Sequence, residues 1–196
     1  MASVGHVVVG MAAARWHHGT VTRGQFFAAM LGWSILSLLP DADVIGLSLG
    51  IDYHDVWGHR GASHSIAVAL LAGVPGAWFA RLCGGRALQT GLLVAAVVVS
   101  HGLLDSLTDG GLGAALLWPF RDDRYFAPWN PIPVAPIGLR FLSPAGMGVA
   151  LTEMLLFAAL LAYAIWPRGE EGRRQKTEGK LAGYGDRSEV PGREDR

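Results

Sequence analysis

Ser100-His101-Gly102-Leu103-Leu104-Asp105 decides the fold, because this stretch closes a long apolar run that begins near Ala87. The run is too apolar for a surface helix, so it predicts a helix buried in a membrane. His101 and Asp105 stand four residues apart, which places both side chains on one helix face. Such a pair can offer a nitrogen and an oxygen to one metal ion. The alternative is a hydrogen bond between His101 and a neighbouring helix.

The composition favours one small polytopic membrane domain. The 196 residues are 51% hydrophobic and only 16% charged, and the mean hydropathy is +0.33. Residues 1–167 hold eight Arg, no Lys and nine acidic residues, whereas residues 168–196 hold eight basic and seven acidic ones. We therefore expect a membrane-embedded domain at 1–167 and a polar, disordered tail at 168–196. The sequence lacks the basic stripe that nucleic-acid binding would need, so no nucleic-acid partner is expected.

Five apolar segments predict an all-α, polytopic bundle of about five helices. A span normally takes ~20 apolar residues, which the last three segments reach and the first two do not. Pro40 should end the second segment, and Ser63 is the expected N-cap of the third. The segments cover roughly residues 4–14, 24–39, 63–82, 87–107 and 146–166.

Residues 116–144, between the fourth and fifth segments, are rich in proline and aromatic residues and cannot form a regular helix. Tyr and Trp favour the boundary between membrane and water, so we expect an interfacial loop here. The ordinary role of such a loop is anchoring. The sharper alternative is that it covers a functional site.

Three further clusters carry groups that could join His101 and Asp105. If the five segments alternate in direction, the start of one segment and the end of the next fall on the same side of the membrane, and all the clusters then converge on one face. The clusters are His6 in the first segment, Asp41 and Asp43 after the second, and His59, Arg60, His64 and Ser65 before the third.

The distribution of basic residues predicts the orientation, because these residues mark the cytoplasmic side of membrane helices. Eight lie on the side opposite the clusters and four lie on the same side. We therefore expect the tail in the cytoplasm and the clusters on the extracytoplasmic face. The eight are Arg15, Arg23, Arg81, Arg86, Arg168, Arg173, Arg174 and Lys176, and the four are Arg60, Arg121, Arg124 and Arg140.

Ordered motifs across residues 5–120 resemble those of the membrane-bound metal-dependent hydrolases, the YdjM-like inner-membrane proteins. The ligand pattern is also distantly similar to zinc phospholipase C and P1-type nucleases. The resemblance implies an integral protein of a prokaryotic plasma (inner) membrane with hydrolase activity. The motifs are Gly5-His6, Leu39-Pro40-Asp41-Ala42-Asp43, His59-Arg60-Gly61-Ala62-Ser63-His64-Ser65, His101-xxx-Asp105-xx-Thr108-xx-Gly111 and Leu117-Trp118-Pro119. Asp52, His54 and Asp55 lie outside these motifs and could support the ligands.

Four histidines and three aspartates supply enough donors for two ions, and mixed nitrogen and oxygen ligation suits Zn²⁺ first, then Mn²⁺ or Fe²⁺. Arg60, Asp43 and Ser65 are the candidate catalytic residues. Arg60 could bind a phosphate or form a salt bridge to Asp41 or Asp43, and Ser65 could orient a ligand or cap the third helix. The candidate ligands are His6, Asp41, Asp43, His59, His64, His101 and Asp105.

We therefore expect a membrane-bound metal-dependent hydrolase that acts on a phosphoester, such as a lipid phosphate reached from the membrane. A soluble phosphoester or an amide is an open alternative. The competing class is a protein that transports or binds a metal ion or proton with the same His/Asp cluster. A transporter should place its ligands near the bilayer midplane, whereas here they gather at segment ends. A structural metal site would need a closed ligand set.

Overall fold

The computed structural model describes residues 3–17 and 22–166, so the predicted tail at 168–196 lies outside the described residues. The described part is all-helical, as predicted, and contains two isolated bridges but no β-strand. Short 3₁₀ turns cover Leu39–Asp43, Ala62–His64 and Gly138–Leu142. The helices are α1 (Ser3–His17), α2 (Arg23–Leu38), α3 (Val44–Ser48), α4 (Ile66–Leu82), α5 (Ala87–Ser106), α6 (Pro144–Leu156) and α7 (Ala158–Ile165).

The described residues contain two or three candidate membrane spans, which is fewer than the five apolar helices predicted. The run Arg23–Ser48 and helix α5 qualify alone, and α6 with α7 qualifies only as a pair bent by 72°. Helix α4 has 17 residues and α1 has 15, so both fall short of the ~20 residues of a full span. The third segment therefore does not reach the predicted length.

Pro40 ends α2 but does not end the helical run, which corrects the expected stop at residue 39. The chain continues through the 3₁₀ turn Leu39–Asp43, where Pro40 lies in the first turn. A proline is tolerated there because its missing N–H would have no helical partner. Asp41 and Asp43 are therefore held on a short helical element, and Arg23–Ser48 becomes the longest apolar run at 26 residues.

Small residues allow close contact between the helices. A Cβ added to Gly73 on α4 would lie 2.7 Å from the carbonyl oxygen of Gly91 on α5. A Cβ added to Gly10 on α1 would lie 2.5 Å from the carbonyl oxygen of Trp33 on α2. Close backbone approach at small residues is the usual way in which membrane helices pack. Many leucines face outward, such as Leu71 at 66% exposed, which suits contact with lipid.

The predicted loop at 116–144 contains no α-helix before its last residue, where α6 begins at Pro144, and its 3₁₀ turn lies near its end. It is fastened to the residues after α5, because Asp109 Oδ1 accepts a hydrogen bond from the backbone N–H of Val134 at 2.7 Å. The side chains of Phe120 and Trp129 are exposed by 89% and 74%. This exposure suits the boundary between lipid and water. Membrane anchoring by the loop stays a prediction.

Glu153 connects α6 to the start of α1. Its side chain is fully buried on α6, and its Oε2 accepts from the backbone N–H groups of Val4 at 2.7 Å and Gly5 at 2.9 Å. The first N–H groups of a helix have no helical partner and carry the positive end of the helix dipole. The carboxylate therefore caps α1 from another helix. In the sequence, Glu153 is only an interruption of an apolar segment.

We predict that Glu153→Ala destabilises the fold, because the start of α1 loses its carboxylate cap. Loss of a helix N-cap costs about 0.5–2 kcal/mol, which corresponds to a fall in Tm of roughly 1–8 °C for a chain of this size. Thermal unfolding in detergent measures the change. Thr152→Ala, at the exposed neighbouring position of α6, is the control. An equal Tm for the two variants would contradict the capping role.

Candidate metal centre

The predicted site residues meet where the ends of four helices adjoin. The direction of the chain alternates from helix to helix, so the starts of α1 and α4 lie beside the ends of α2 and α5. Each end contributes at least one imidazole or carboxylate. His6 lies in α1, Asp41 and Asp43 in the 3₁₀ turn after α2, His59 and His64 before α4, and His101 and Asp105 in the last turns of α5.

Four side-chain atoms have the spacing of ligands around a single ion. His64 Nε2 lies 3.1 Å from His101 Nε2, 3.6 Å from Asp41 Oδ1 and 3.3 Å from Asp105 Oδ2. His101 Nε2 lies 3.3 Å from Asp41 Oδ1 and 3.9 Å from Asp105 Oδ2. Metal bonds of ~2.0–2.2 Å in a tetrahedron require ligand separations of ~3.3–3.6 Å. This buried His/Asp group could therefore hold a metal ion.

The carboxylate of Asp41 lacks the partners that its burial requires. Both of its oxygens are buried, and neither accepts a hydrogen bond from the residues that the structure describes. A buried charge is costly unless it is paired or coordinates a metal. The nearest groups are the Nε2 atoms of His101 and His64, which are themselves metal-ligand atoms. A cation between these groups would satisfy Asp41, so the donor set fits a metal ion.

The charges of the cluster also favour a cation. Burial alone would lower the pKa of His64, but the nearby carboxylates of Asp105, Asp41 and Asp43 outweigh it and raise the pKa to about 10. Of the three carboxylates, only Asp105 pairs with a guanidinium, that of Arg60. If a divalent ion replaced the proton of His64 and the other imidazoles were neutral, two negative charges would be left for the ion to balance.

The outer nitrogens of the central imidazoles are held by hydrogen bonds. His101 Nδ1 donates to the carbonyl oxygen of Ser37 at 2.7 Å. His64 Nδ1 lies 3.0 Å from the hydroxyl of Ser63, which donates to Asp43 Oδ2 at 2.6 Å. Bonds of this kind fix the ring orientation of metal-binding histidines and leave Nε2 for the metal. These contacts of the Nδ1 atoms therefore turn both Nε2 atoms toward the centre.

Asp43 holds the surrounding residues in place. Its Oδ1 accepts from His59 Nδ1 at 2.7 Å, and its Oδ2 accepts from Ser63 Oγ and from the backbone N–H of Arg60 at 3.1 Å. Asp43, His59 and His64 form a second group that could hold an ion. Hydrogen bonds already engage both oxygens of Asp43, however. A ligand role for Asp43 or His59 therefore stays a prediction, and an orienting contact of Asp43 with His59 is observed.

His6 packs against the central pair. Its ring stacks on that of His101 with centroids 3.7 Å apart, and its Nε2 lies 3.4 Å from Asp105 Oδ1. The structure thus brings His6 to the cluster, as expected, at the oxygen of Asp105 that faces away from His64. Its direct ligation of an ion stays a prediction.

The side chain of Arg60 pairs with Asp105, and not with Asp41 or Asp43, which was the alternative to phosphate binding. Its Nε lies 3.0 Å from Asp105 Oδ2, and its Nη1 donates to Thr108 Oγ1 at 2.9 Å and to the carbonyl of Gly110 at 3.0 Å. The backbone N–H of Arg60 already faces Asp43, and the side chain extends to the end of α5. Arg60 has a φ of +66°, a strained value that a residue with a side chain adopts rarely.

Ser63 and Ser65 were both candidates for the N-cap of the third helix, and Ser65 takes this role. Ser65, a candidate catalytic residue, is the N-cap of α4, because its Oγ accepts from the backbone N–H of Val68 at 3.1 Å. Ser63, the expected N-cap, lies in a 3₁₀ turn and bonds to Asp43 instead. The sequence contains both hydroxyls two residues apart, and only the added 3₁₀ turn decides between them. A catalytic role for Ser65 stays a prediction without a supporting contact.

Residues 52–55 form an exposed turn beside the cluster. The side chains of Asp52 and His54 pair at 3.0 Å and are each 76% exposed, and Asp55 Oδ1 accepts from the backbone N–H of Trp57. These residues therefore do not join the buried His/Asp groups.

Arg124 is a site residue that the sequence did not single out. It donates from Nη1 to the carbonyl of His59 at 2.6 Å and from Nη2 to the carbonyls of Tyr53 and Asp55, both at 2.9 Å. Burial lowers its pKa and also raises that of the Tyr53 phenol. Arg124 thus ties the loop to the segment that carries His59. Its only signal in the sequence is an arginine within an aromatic-rich loop.

We predict that Gly102→Ala disrupts the centre, because α5 touches the backbone of His64 at this position. A Cβ added to Gly102 would lie 2.3 Å from the carbonyl oxygen of His64, which a rotamer change cannot relieve. Separation of His64 from His101 should lower metal affinity by at least about tenfold. Titration of the chelator-treated protein with Zn²⁺ measures this. Gly32→Ala, where an added Cβ meets nothing within 4 Å, is the control, and equal affinities would refute the packing argument.

Comparison with known proteins agrees with the motifs. The family model described as YdjM inner membrane protein matches residues 1–170. The inner membrane protein YbcI of Escherichia coli strain K12 is 41% identical over 146 residues, which cover 68% of this chain and 80% of that protein. No solved structure matches the chain. The match includes every predicted site residue and confirms the resemblance, and the chain therefore belongs to the YdjM family of inner membrane proteins.

Proposed function

We propose that the protein is a membrane-bound metal-dependent hydrolase that acts on a phosphoester, such as a lipid phosphate. The observation that carries the proposal is the buried group of four ligand atoms spaced as around one ion. Asp41, His64, His101 and Asp105 would hold the ion, with Zn²⁺ the best match and Mn²⁺ or Fe²⁺ also suited to mixed imidazole and carboxylate ligands. Such an ion would supply Lewis acidity and a hydroxide nucleophile at neutral pH.

An open position distinguishes a catalytic metal site from a structural one. Asp105 Oδ2 lies 3.0 Å from Arg60 Nε and 3.3 Å from His64 Nε2, so the guanidinium and the centre share this carboxylate. A carboxylate held by Arg60 can loosen its hold on an ion without becoming an unpaired charge. If Asp105 stayed with Arg60, the remaining ligands would be Asp41, His64 and His101, and three protein ligands is the number that a catalytic zinc site uses.

His59 is placed to move a proton. Its Nδ1 donates to Asp43, which holds the ring in one orientation. His59 Nε2 can then give a proton to the leaving alcohol or take one from water, the usual task of a histidine general acid or base. In this scheme Asp43 acts through His59, and Arg60 supplies positive charge for the phosphate.

The competing proposal of a transport protein fits the geometry less well. Transport sites lie near the bilayer midplane, often at broken helices. Here the ligands come from helix ends: Asp105 is the second-last residue of α5, and Asp41 follows the end of α2. Groups at helix ends lie near the membrane surface, where a site can meet both water and lipid headgroups.

The family and the apolar helices support an integral inner membrane location. We propose further that the centre faces the extracytoplasmic side, on the basis of the eight basic residues at the opposite helix ends and in the tail. The membrane lipid is then both the environment and the proposed source of the substrate.

We predict that Asp105→Asn abolishes turnover and lowers metal content. The two side chains are nearly isosteric, so helix α5 should persist, but the ligand loses the charge that attracts the ion. The loss in affinity should exceed the ~10–100-fold that removal of an outer hydrogen-bond partner costs. Elemental analysis measures the metal, and phosphate release from short-chain phosphatidic acid measures turnover.

His17→Ala is the control for Asp105→Asn, because His17 lies at the far end of α1 and bonds to Thr90. It should keep both metal and activity. If Asp105 only forms a hydrogen bond, Asn can replace it and both variants should behave alike. Normal metal loading and normal turnover in Asp105→Asn would overturn the proposed function.

We predict that the two bundle ends are labelled from opposite sides of the inner membrane. The chain offers its own control, because its single cysteine, the exposed Cys83, lies at the end opposite the centre. In intact spheroplasts, an impermeant thiol reagent should label a Cys83→Ser/Asp123→Cys variant, and the unaltered chain only after permeabilisation. A reporter fused after Arg168 should behave as cytoplasmic. The reverse pattern would place the centre in the cytoplasm.

A further inference from the structure

A cavity of about 370 Å³ borders the candidate metal centre under the proline- and aromatic-rich loop. Its wall contains His59 and Arg60 from the segment before α4, and Val134, Pro136 and Ile137 from the loop. The volume falls within the ~300–1,000 Å³ of small-molecule sites. The cavity therefore joins a charged end, which it shares with the centre, to an apolar side.

The guanidinium of Arg60 is only partly bonded within the protein. Nε faces Asp105, and Nη1 donates to Thr108 and to the carbonyl of Gly110. Nη2 is buried and has no hydrogen-bond partner among residues 3–17 and 22–166. Buried donors nearly always have a partner. Arg60 is one of the residues that line the cavity, so an acceptor on a ligand bound beside it could satisfy Nη2.

The position favours an anionic acceptor. A guanidinium that is held on one side and carries its charge into a buried space binds phosphate or carboxylate oxygens well. Tyr53 adds a second donor: a Cβ added to Gly111 in the cavity wall would lie 3.0 Å from Arg60 Nη1 and 3.3 Å from Tyr53 Oη. The phenol and the guanidinium thus converge on the same glycine, which at φ +88° presents only backbone.

Another part of the lining is apolar. Residues 134–137 carry no charged or hydroxyl side chain, and Leu112 extends this surface. Val134 and Ile137 are 37% and 39% exposed, so their hydrocarbon surface is available to a ligand. A ligand that satisfies both parts of the lining has an anionic group at one end and a hydrocarbon chain at the other.

We propose that this cavity binds an amphiphilic phosphoester, with its phosphate on Arg60 Nη2 and Tyr53 Oη and its hydrocarbon chain along residues 134–137. The inference rests on the proposed function for the reaction that follows binding. It adds the place on the chain where a lipid phosphate would bind, and it divides recognition between a charged and an apolar part of the lining. The same chemistry could come from a membrane lipid phosphate or from a soluble alkyl phosphate, and competition experiments distinguish the two.

The test is equilibrium binding of hexylphosphonate, which cannot be hydrolysed, to the full-length protein in phosphatidylcholine nanodiscs, with empty discs as blank. Hexylphosphonate should bind at least about tenfold more tightly than inorganic phosphate, because burial of two methylenes alone accounts for such a factor. Ile137→Ser should weaken hexylphosphonate binding severalfold and leave phosphate binding unchanged. Leu139→Ser, two residues along the loop and 87% exposed, is the matched control.

Arg60→Lys tests the anionic end. Lysine keeps the charge but cannot contact Asp105 and a ligand at once, so binding of both hexylphosphonate and phosphate should fall more than about tenfold. Arg121→Lys, at a side chain that is 66% exposed, should bind normally. Equal affinity for phosphate and hexylphosphonate, or unchanged binding in Ile137→Ser and Arg60→Lys, would overturn the proposal. The Ile137 variant keeps the test decisive if Arg60→Lys does not fold.

Phosphatidic acid in the discs should displace hexylphosphonate if the lipid is the source, and only soluble hexyl phosphate should do so if it is not. Either result supports the cavity and assigns the source. Binding as described without phosphate release from any of these esters would contradict the proposed function and leave the cavity in place. Phosphate release together with hexylphosphonate binding that is unchanged in Ile137→Ser and Arg60→Lys would contradict the cavity proposal alone.

Discussion

Three carboxylates and one guanidinium are buried together at the ends of apolar helices. The rest of the site depends on how this excess of negative charge is balanced. Arg60 and Asp105 are fully buried, Asp41 is 8% exposed, and Asp43 lies beside them. Withdrawal of each ion from water costs several kcal/mol. Arg60 balances one carboxylate, so two negative charges are left for imidazolium or for a cation. The imidazoles that face this space therefore lie where they can balance the negative charge themselves or bind a cation that does so.

Hydrogen bonds from the backbone and from small side chains hold the cluster together, and glycines allow the approach. Ser37 orients His101 through its carbonyl, and Ser63 and Asp43 orient His64. Gly102 lets α5 touch the segment that carries His64. These contacts come from three separate parts of the chain. The geometry of the centre thus depends on helix packing as much as on the ligands.

Helical periodicity and segment alternation were sufficient to predict which residues meet. His101 and Asp105 follow from a four-residue spacing, and alternation brings Asp41 and His64 to the same end of the bundle. Both arguments depend only on the period of a helix and on the alternation of direction between successive apolar segments. The span count failed for the opposite reason: hydropathy reports how apolar a segment is, whereas helix length and bends depend on packing. The 72° bend between α6 and α7 is such a case.

The partners of individual polar groups could not be predicted, because they depend on distances of a few tenths of an ångström. Arg60 stands between two aspartate clusters in the sequence, and only the folded chain shows that Nε meets Asp105 while the backbone N–H meets Asp43. Ser63 lies within the 3₁₀ turn Ala62–His64 and Ser65 directly after it, and this difference in position decides which serine caps α4. Arg124 reaches three backbone carbonyls, which no residue pattern records.

The contact of Glu153 with Val4 and Gly5 has a consequence for biosynthesis. These residues are 148 and 149 positions apart, so the start of α1 leaves the ribosome long before its cap exists. His6 follows Gly5 directly and takes its place against His101 from that helix end. During translation the first helix is therefore without its Glu153 cap until α6 has been made. The ring of contacts around the centre closes only when nearly the whole membrane domain has been made.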